Sequence, residues 1–181
     1  MKKKLFSFIY HKLLGWSTNF TVPIEDKCVI CVAPHTSNWD LFVGKLLWGA
    51  LGRDASFLMK KEWFFFPLGI VFRWMGGIPV NRGKKTSLTE QLAVLFQERK
   101  QLNLAITPEA TRQANPDWKK GFYYIALNAK VPIMLFGLDY QRKLVECTKT
   151  FIPTGNYEQD IQEIKQYFKD YKGKHPDQFA I

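Results

Sequence analysis

Apolar and polar positions alternate along this chain with two periods. In residues 1–20, Leu5, Ile9, Leu13, Trp16 and Phe20 are spaced by four, four, three and four, and Phe6, Phe8 and Leu14 widen the stripe. That spacing marks one face of a helix. Residues 21–26 carry Pro23 and read as a linker. Residues 27–33 read as a buried strand that stops at Pro34, and residues 41–51 as a helix with Gly52 suited to its C-terminal cap. Ser37 or Asn38 can cap its start, leaving Asp40 in or near the first turn, where free amides and the helix dipole favour a carboxylate. A short strand is expected over 55–59. Residues 63–72 carry no charge and contain Pro67 and Gly69. This run is too short to span a bilayer. It is either a buried helix start or an apolar patch that dips into lipid or binds an acyl chain.

Residues 76–82 read as a turn, a short strand and a polar end. Ser87 and Glu90 form a capping box for a helix carrying Leu88, Leu92, Leu95 and Phe96 and running to about Arg99. A buried strand over 102–107 leads into a polar loop, followed by a helix over 122–130 and strands over 131–138 and 144–152. Tyr157, Ile161, Ile164 and Phe168 mark a last amphipathic helix, and the tail from Lys172 is polar. Strands thus alternate with helices, with no internal repeat and no long linker. The expected fold is one α/β layered domain (21–181), a mixed, mostly parallel sheet flanked by helices, preceded by the N-terminal amphipathic helix (1–20). In such sheets sites gather beyond the carboxyl ends of strands. Three polar groups fall there: His35 with Asp40, Asn81 with Arg82, and the stretch from Pro108 to Arg112.

Composition narrows the partners. The chain has 181 residues, 46% of them hydrophobic, which is one domain's length and enough for a full core. Its formal charge is +10, and it holds 15 Phe, 7 Tyr and 6 Trp. A basic, aromatic-rich chain suits nucleic acid or an anionic membrane. No nucleic-acid-binding motif accompanies the charge, so the expected partner is a membrane lipid surface. Lys2, Lys3 and Lys4 open the N-terminal stripe, as in helices that lie on a bilayer. Packing of that helix on its own domain is the competing reading, and partial docking satisfies both. His11 and Lys12 interrupt the stretch and no small-residue cleavage site follows, so a signal peptide fits poorly. Three cysteines argue against a disulfide scaffold. Cys28 and Cys31 lie three apart in a strand and should point to opposite faces as buried thiols. With three histidines and no ligand cluster, metal chemistry is not indicated.

These blocks resemble the lysophosphatidate acyltransferases, the glycerolipid acyltransferases with a His-x4-Asp motif. His35 to Asp40 matches the first block, Gly77 to Arg82 the second and Pro108 to Arg112 the third, while Val131-Pro132-Ile133 resembles the fourth. The likeness runs from about Lys27 to Leu138. Lys60-Lys61-Glu62 and the apolar stretch after it resemble the family's bridge between the first two blocks. The resemblance implies an acyltransferase moving a fatty acyl group from acyl-CoA or acyl-ACP to the hydroxyl of a lysophospholipid such as lysophosphatidate, with no permanently bound cofactor. His35 would act as base and Asp40 as its orienter. Arg82 and Arg112 would bind the acceptor's phosphate, with Lys60 a weaker candidate, and Glu109 would hold the acceptor or brace an arginine. The enzyme would sit on the cytoplasmic face of the cell membrane as a peripheral protein, with Trp118, Lys119 and Lys120 at the interface. One position departs from the family: Ala110 stands where the third block has glycine. If that glycine serves a positive φ, Ala110 carries a local cost. The departure keeps other lipid acceptors open, such as an acylated amino acid lipid or a glycolipid. A non-catalytic basic membrane-binding protein is the reading from another class.

Overall fold

The computed structural model describes residues 2–80 and 87–181. Among them eight strands, β1 (Ser17–Phe20), β2 (Lys27–Ala33), β3 (Ser56–Lys60), β4 (Gly77–Val80), β5 (Leu102–Ile106), β6 (Ile133–Asp139), β7 (Leu144–Cys147) and β8 (Thr150–Phe151), form one sheet. Its order is β1-β7-β6-β2-β5-β3-β4, with β8 beside β6. Pairing is parallel except where β6 meets β7 and β8. The expected single α/β domain with a mixed, mostly parallel sheet is the fold observed.

Among the described residues six α-helices flank the sheet: α1 (Lys2–Ser7), α2 (Trp39–Leu51), α3 (Leu68–Trp74), α4 (Leu88–Glu98), α5 (Gly121–Ala129) and α6 (Tyr157–Phe168). The central strand β2 is buried on both sides, so its residues divide between two cores. Val29, Cys31 and Ala33 pack with α4, α5 and α6. Cys28 and Ile30 pack with α2 and with Tyr10 and Trp16 from the N-terminal segment. The two thiols therefore do face opposite ways, and both are free and buried. The capping box at Ser87 and Glu90 is present, and Gly52 ends α2 at φ +73°.

Two expectations are corrected. The N-terminal stripe is helical only through α1 and a π-helical turn, Phe8–Leu13; residues 17–20 form β1, which runs parallel to β7 at the sheet edge. The strand expected over 144–152 is two short strands, β7 and β8, both antiparallel to β6. α1 lies against α2 where Gly49 lets Phe6 approach; a β-carbon there would fall 2.6 Å from that ring. Among the described residues no helix is long and apolar enough to cross a membrane.

Candidate active site

The chain leaves the sheet at the carboxyl end of β2, and His35 is the second residue past it. Five residues later Asp40 sits in the first turn of α2, facing inward. His35 Nδ1 and Asp40 Oδ2 are 2.9 Å apart. The same oxygen accepts the amides of Thr36 (3.1 Å) and Ser37 (3.0 Å), and Oδ1 accepts the phenol of Tyr140 at 2.7 Å. An ionised carboxylate only accepts, so Nδ1 must be the donor. A neutral imidazole then carries its lone pair on Nε2, the form a general base requires. Ser37 Oγ accepts the Trp39 amide and Thr36 Oγ1 accepts the His175 amide, so both hydroxyls are engaged in holding the backbone.

β5 lies beside β2, and the loop after it brings the third block to His35. Glu109 is wholly buried, and its Oε1 accepts the His35 amide at 2.8 Å. Its Oε2 has no hydrogen-bond partner among the described residues. Burial raises the Glu109 carboxyl to about 7, with the His35 amide and imidazole working against that rise and Asp40 adding to it. Glu109 thus braces the backbone of the motif loop. Ala110 adopts φ +57°, the left-handed conformation in which a β-carbon costs about 1 kcal/mol. Arg112 is exposed, and its Nη1 donates to Asn38 Oδ1 at 2.6 Å.

His35, Asp40, Ala110 and Arg112 line a cavity of about 620 Å³ that continues between α2 and the strands β3 and β5. Leu41, Trp48, Phe57 and Ile106 make much of its wall. Lys45 also lines it, donating to the Ala55 carbonyl at 3.0 Å, and burial lowers its ammonium below the usual lysine range.

The structure therefore brings His35, Asp40, Glu109 and Arg112 together. Lys60, at the exposed end of β3, is not among the cavity's lining residues. Arg82 lies outside the described residues. Trp118 is buried against Phe168 and does not reach an interface, while Lys119 and Lys120 beside it are exposed. Sequence reasoning missed Lys45 and Tyr140. Lys45 was readable: Leu41, Lys45 and Trp48 share a helical face at spacings of four and three. Tyr140 had no local signal, since it meets Asp40 across 100 residues of chain.

Comparison with known proteins matches the same region. The family described as Acyltransferase matches residues 18–136. The 1-acyl-sn-glycerol-3-phosphate acyltransferase of Streptococcus pneumoniae is 29% identical over 131 residues, covering 67% of this chain and 48% of that protein. The human 1-acyl-sn-glycerol-3-phosphate acyltransferase beta is 33% identical over 113 residues, 59% of this chain and 39% of that one. A coconut (Cocos nucifera) 1-acyl-sn-glycerol-3-phosphate acyltransferase is 26% identical over 141 residues, 72% of this chain and 45% of that one. The chain spans about half or less of the length of these curated relatives. The crystal structure of the 1-acyl-sn-glycerophosphate (LPA) acyltransferase PlsC from Thermotoga maritima superposes with a TM-score of 0.58 at 18% identity, over 92% of this chain and 76% of that one. That likeness is one of fold. The matched span 18–136 covers well over half of the chain and holds His35, Asp40, Glu109 and Arg112 within it, and on that ground the chain belongs to the acyltransferase family.

Proposed function

We propose that the protein transfers a fatty acyl group from a thioester, acyl-CoA or acyl-ACP, to the hydroxyl of a lysophospholipid such as lysophosphatidate, in phospholipid synthesis. The observation that carries this reading is the His35–Asp40 pair on the wall of a largely apolar cavity. A hydroxyl is a weak nucleophile near neutral pH and needs a base within hydrogen-bond reach. His35 Nε2 takes the hydroxyl proton as the oxygen bonds to the thioester carbonyl carbon. Asp40 holds the imidazolium so formed. The tetrahedral intermediate collapses, the carbon–sulfur bond breaks, and the thiolate leaves with the proton returned by His35. No acyl-enzyme is required.

Arg112, beside Asn38 at the same cavity, suits the acceptor's phosphate, because a guanidinium fork matches its oxygens. Arg82 and Lys60 are the further cations proposed for that group. Glu109 acts indirectly by fixing the His35 backbone. The enzyme works as a peripheral protein at the cytoplasmic face of the cell membrane, where both acyl chains and basic side chains find partners. Ala110 favours a second reading: it lines the cavity at the position where the family has glycine, which suits a differently shaped lipid acceptor such as an acylated amino acid lipid or a glycolipid.

One assay addresses all of this. Labelled acyl-CoA and acyl-ACP are offered with a panel of lyso-lipid acceptors including lysophosphatidate, beside His35→Ala. Acylation of lysophosphatidate, reduced about 10³-fold in the variant, is the expected result. Acylation of no acceptor, or full activity in His35→Ala, defeats the reading; transfer to another acceptor alone selects the second one.

A further inference from the structure

We propose that Tyr140 is a positioning residue for the His35–Asp40 pair: its phenol fixes the second oxygen of the Asp40 carboxylate and so sets how firmly that carboxylate holds a proton on His35. The consequence for acyl transfer rests on the function proposed above; the effect on the pair itself does not.

The Asp40 carboxylate is divided between two sets of donors. Oδ2 takes the imidazole and two backbone amides of its own loop. Oδ1 takes the Tyr140 phenol at 2.7 Å, from just beyond the end of β6. An O–H donor to a carboxylate is a strong, orienting bond, and here it stops the carboxylate from rotating away from Nδ1. A phenylalanine would fill the same space without it. Burial and the Asp40 carboxylate both push the Tyr140 phenol far above its ordinary value, so it stays a donor throughout the pH range in which histidine titrates.

Tyr140 is itself held by parts of the chain remote from the motif. Its amide donates to the Lys172 carbonyl at 2.8 Å. Its ring meets Trp16 edge-on, with centroids 5.0 Å apart. Tyr140, Trp16 and Lys172 all lie outside residues 18–136, the span that matches the family. The C-terminal segment also reaches the motif loop directly: the His175 amide binds Thr36, and Lys174 Nζ lies 5.1 Å from the Trp39 ring centre. The charged groups around the pair are Glu109 below the His35 amide, Arg112 and Lys45 on the cavity wall, Lys174 and His175 from the C-terminus, and Asp139, which is paired with Arg142. None of them donates to Asp40 Oδ1, which leaves that role to Tyr140 among the described residues.

Removing the phenol concentrates charge on Oδ1, and a stronger carboxylate favours the imidazolium. The test follows the imidazole nitrogens of the full-length protein by ¹⁵N NMR through a pH titration, with His35 assigned by comparison with His35→Ala. In Tyr140→Phe the His35 midpoint moves upward by roughly half a unit. With 3-fluorotyrosine placed at position 140, a stronger donor in the same ring, it moves downward; this second protein decides the matter if the phenylalanine variant does not fold. Acyl transfer by Tyr140→Phe has its acid limb displaced to higher pH and kcat about tenfold lower, with KM for the donor little changed. In an Asp40→Asn background the same substitution adds nothing. An unmoved midpoint in both altered proteins overturns the proposal, as does an equal loss of rate with and without Asp40. If the parent transfers no acyl group, the proposed function fails while the titration still decides what Tyr140 does.

Discussion

Glu109 places its carboxyl where water does not reach, with one oxygen bonded to the His35 amide and the other without a partner among the described residues. Burial raises it to about 7 from an ordinary value of 4.5. Between those values the folded protein keeps a proton that the unfolded chain has lost. Stability therefore falls as pH rises from about 4.5 to 7 and is level above, a loss of about 3 kcal/mol by linkage. Glu109→Gln keeps an oxygen for the His35 amide and cannot ionise. Thermal unfolding from pH 4.5 to 8 should show the parent losing stability across that window from this group, and the variant lacking that slope and melting higher above pH 7. An identical slope in both would mean the carboxyl is not titrating there. Ala110, next in the chain, has a different cost. At φ +57° its β-carbon strains the backbone, so Ala110→Gly should add about 1 kcal/mol and raise Tm by about 2–4 °C despite the looser unfolded chain. Differential scanning fluorimetry measures it, and a lower Tm refutes the strain. At this scale the sequence was informative where contacts are local. His35 and Asp40 are five residues apart, and a strand followed by a helix carries them to each other. The burial of Glu109 and the reach of Tyr140 depend on distant chain, and no spacing encodes them.

Among the elements, the legible ones are those whose period survives burial. β2 was readable end to end because a central strand of a parallel sheet is apolar on both faces, and α6 because all four of its apolar markers turn inward. The N-terminal segment holds less helix than its spacing predicts. Its apolar residues keep helical spacing through Phe20, yet Ser17, Thr18 and Asn19 gain more by pairing with β7 than by extending the helix. β-branched and short polar residues are weak helix formers, and an edge strand alternates between exposed and half-buried positions, so its signal is faint. The helix expected to lie on lipid or on its own domain does pack on the domain: Tyr10 and Trp16 are buried, Phe6 sits on Gly49, and Leu5, Phe8 and Leu13 remain exposed. β7 and β8 divide a single expected strand because the pairing with β6 slips by one residue between them: Gly137 faces Glu146, but Met134 faces Thr150, which leaves one extra residue in the stretch of Thr148 and Lys149. Gly137 had no marker of its role; it lies in β6 under the Tyr171 ring, where a β-carbon would fall 2.1 Å from that ring. That approach seats the C-terminal segment that also supports Tyr140 and Thr36.

Across the whole molecule, the alternation of strand and helix implied a parallel sheet but could not order its strands, since order is decided by crossovers between segments far apart in the chain. The order observed sets β2 and β5 side by side, which joins the first and third blocks into one site, and puts β3 and β4 at the edge. The segment after β3, from Trp63 through α3, leaves apolar side chains uncovered: Phe66 is 84% and Trp74 79% exposed, with Trp63, Phe65 and Ile70 near them in sequence and Lys60, Lys61 and Arg73 among them. An isolated exposed apolar residue needs no explanation, but a run of this kind marks an interaction surface. Aromatic rings with interspersed cations match the headgroup level of an anionic leaflet. The N-terminal Leu5, Phe8 and Leu13 with Lys2, Lys3 and Lys4 have the same chemistry. Co-sedimentation with vesicles of mixed zwitterionic and anionic lipid separates the two surfaces. Each apolar side chain withdrawn from water contributes about 1.5–3 kcal/mol at full burial. Phe66→Asp with Trp74→Asp, or Leu5→Ser with Phe8→Ser and Leu13→Ser, should therefore each weaken binding by at least about tenfold while the melting temperature holds, because none of these side chains is buried in the fold. Parent binding should weaken as salt rises from about 0.05 to 0.5 M, since the Debye length shrinks below the separation of protein and lipid charges. Residual binding at high salt then reports the apolar contribution alone, and the two variants should lose that residue in proportion to their share of it. Binding that both variants retain would remove the membrane from the account of these residues and leave the exposed aromatic run as a surface for another protein, whereas binding that neutral vesicles support equally well would remove only the attraction to anionic lipid.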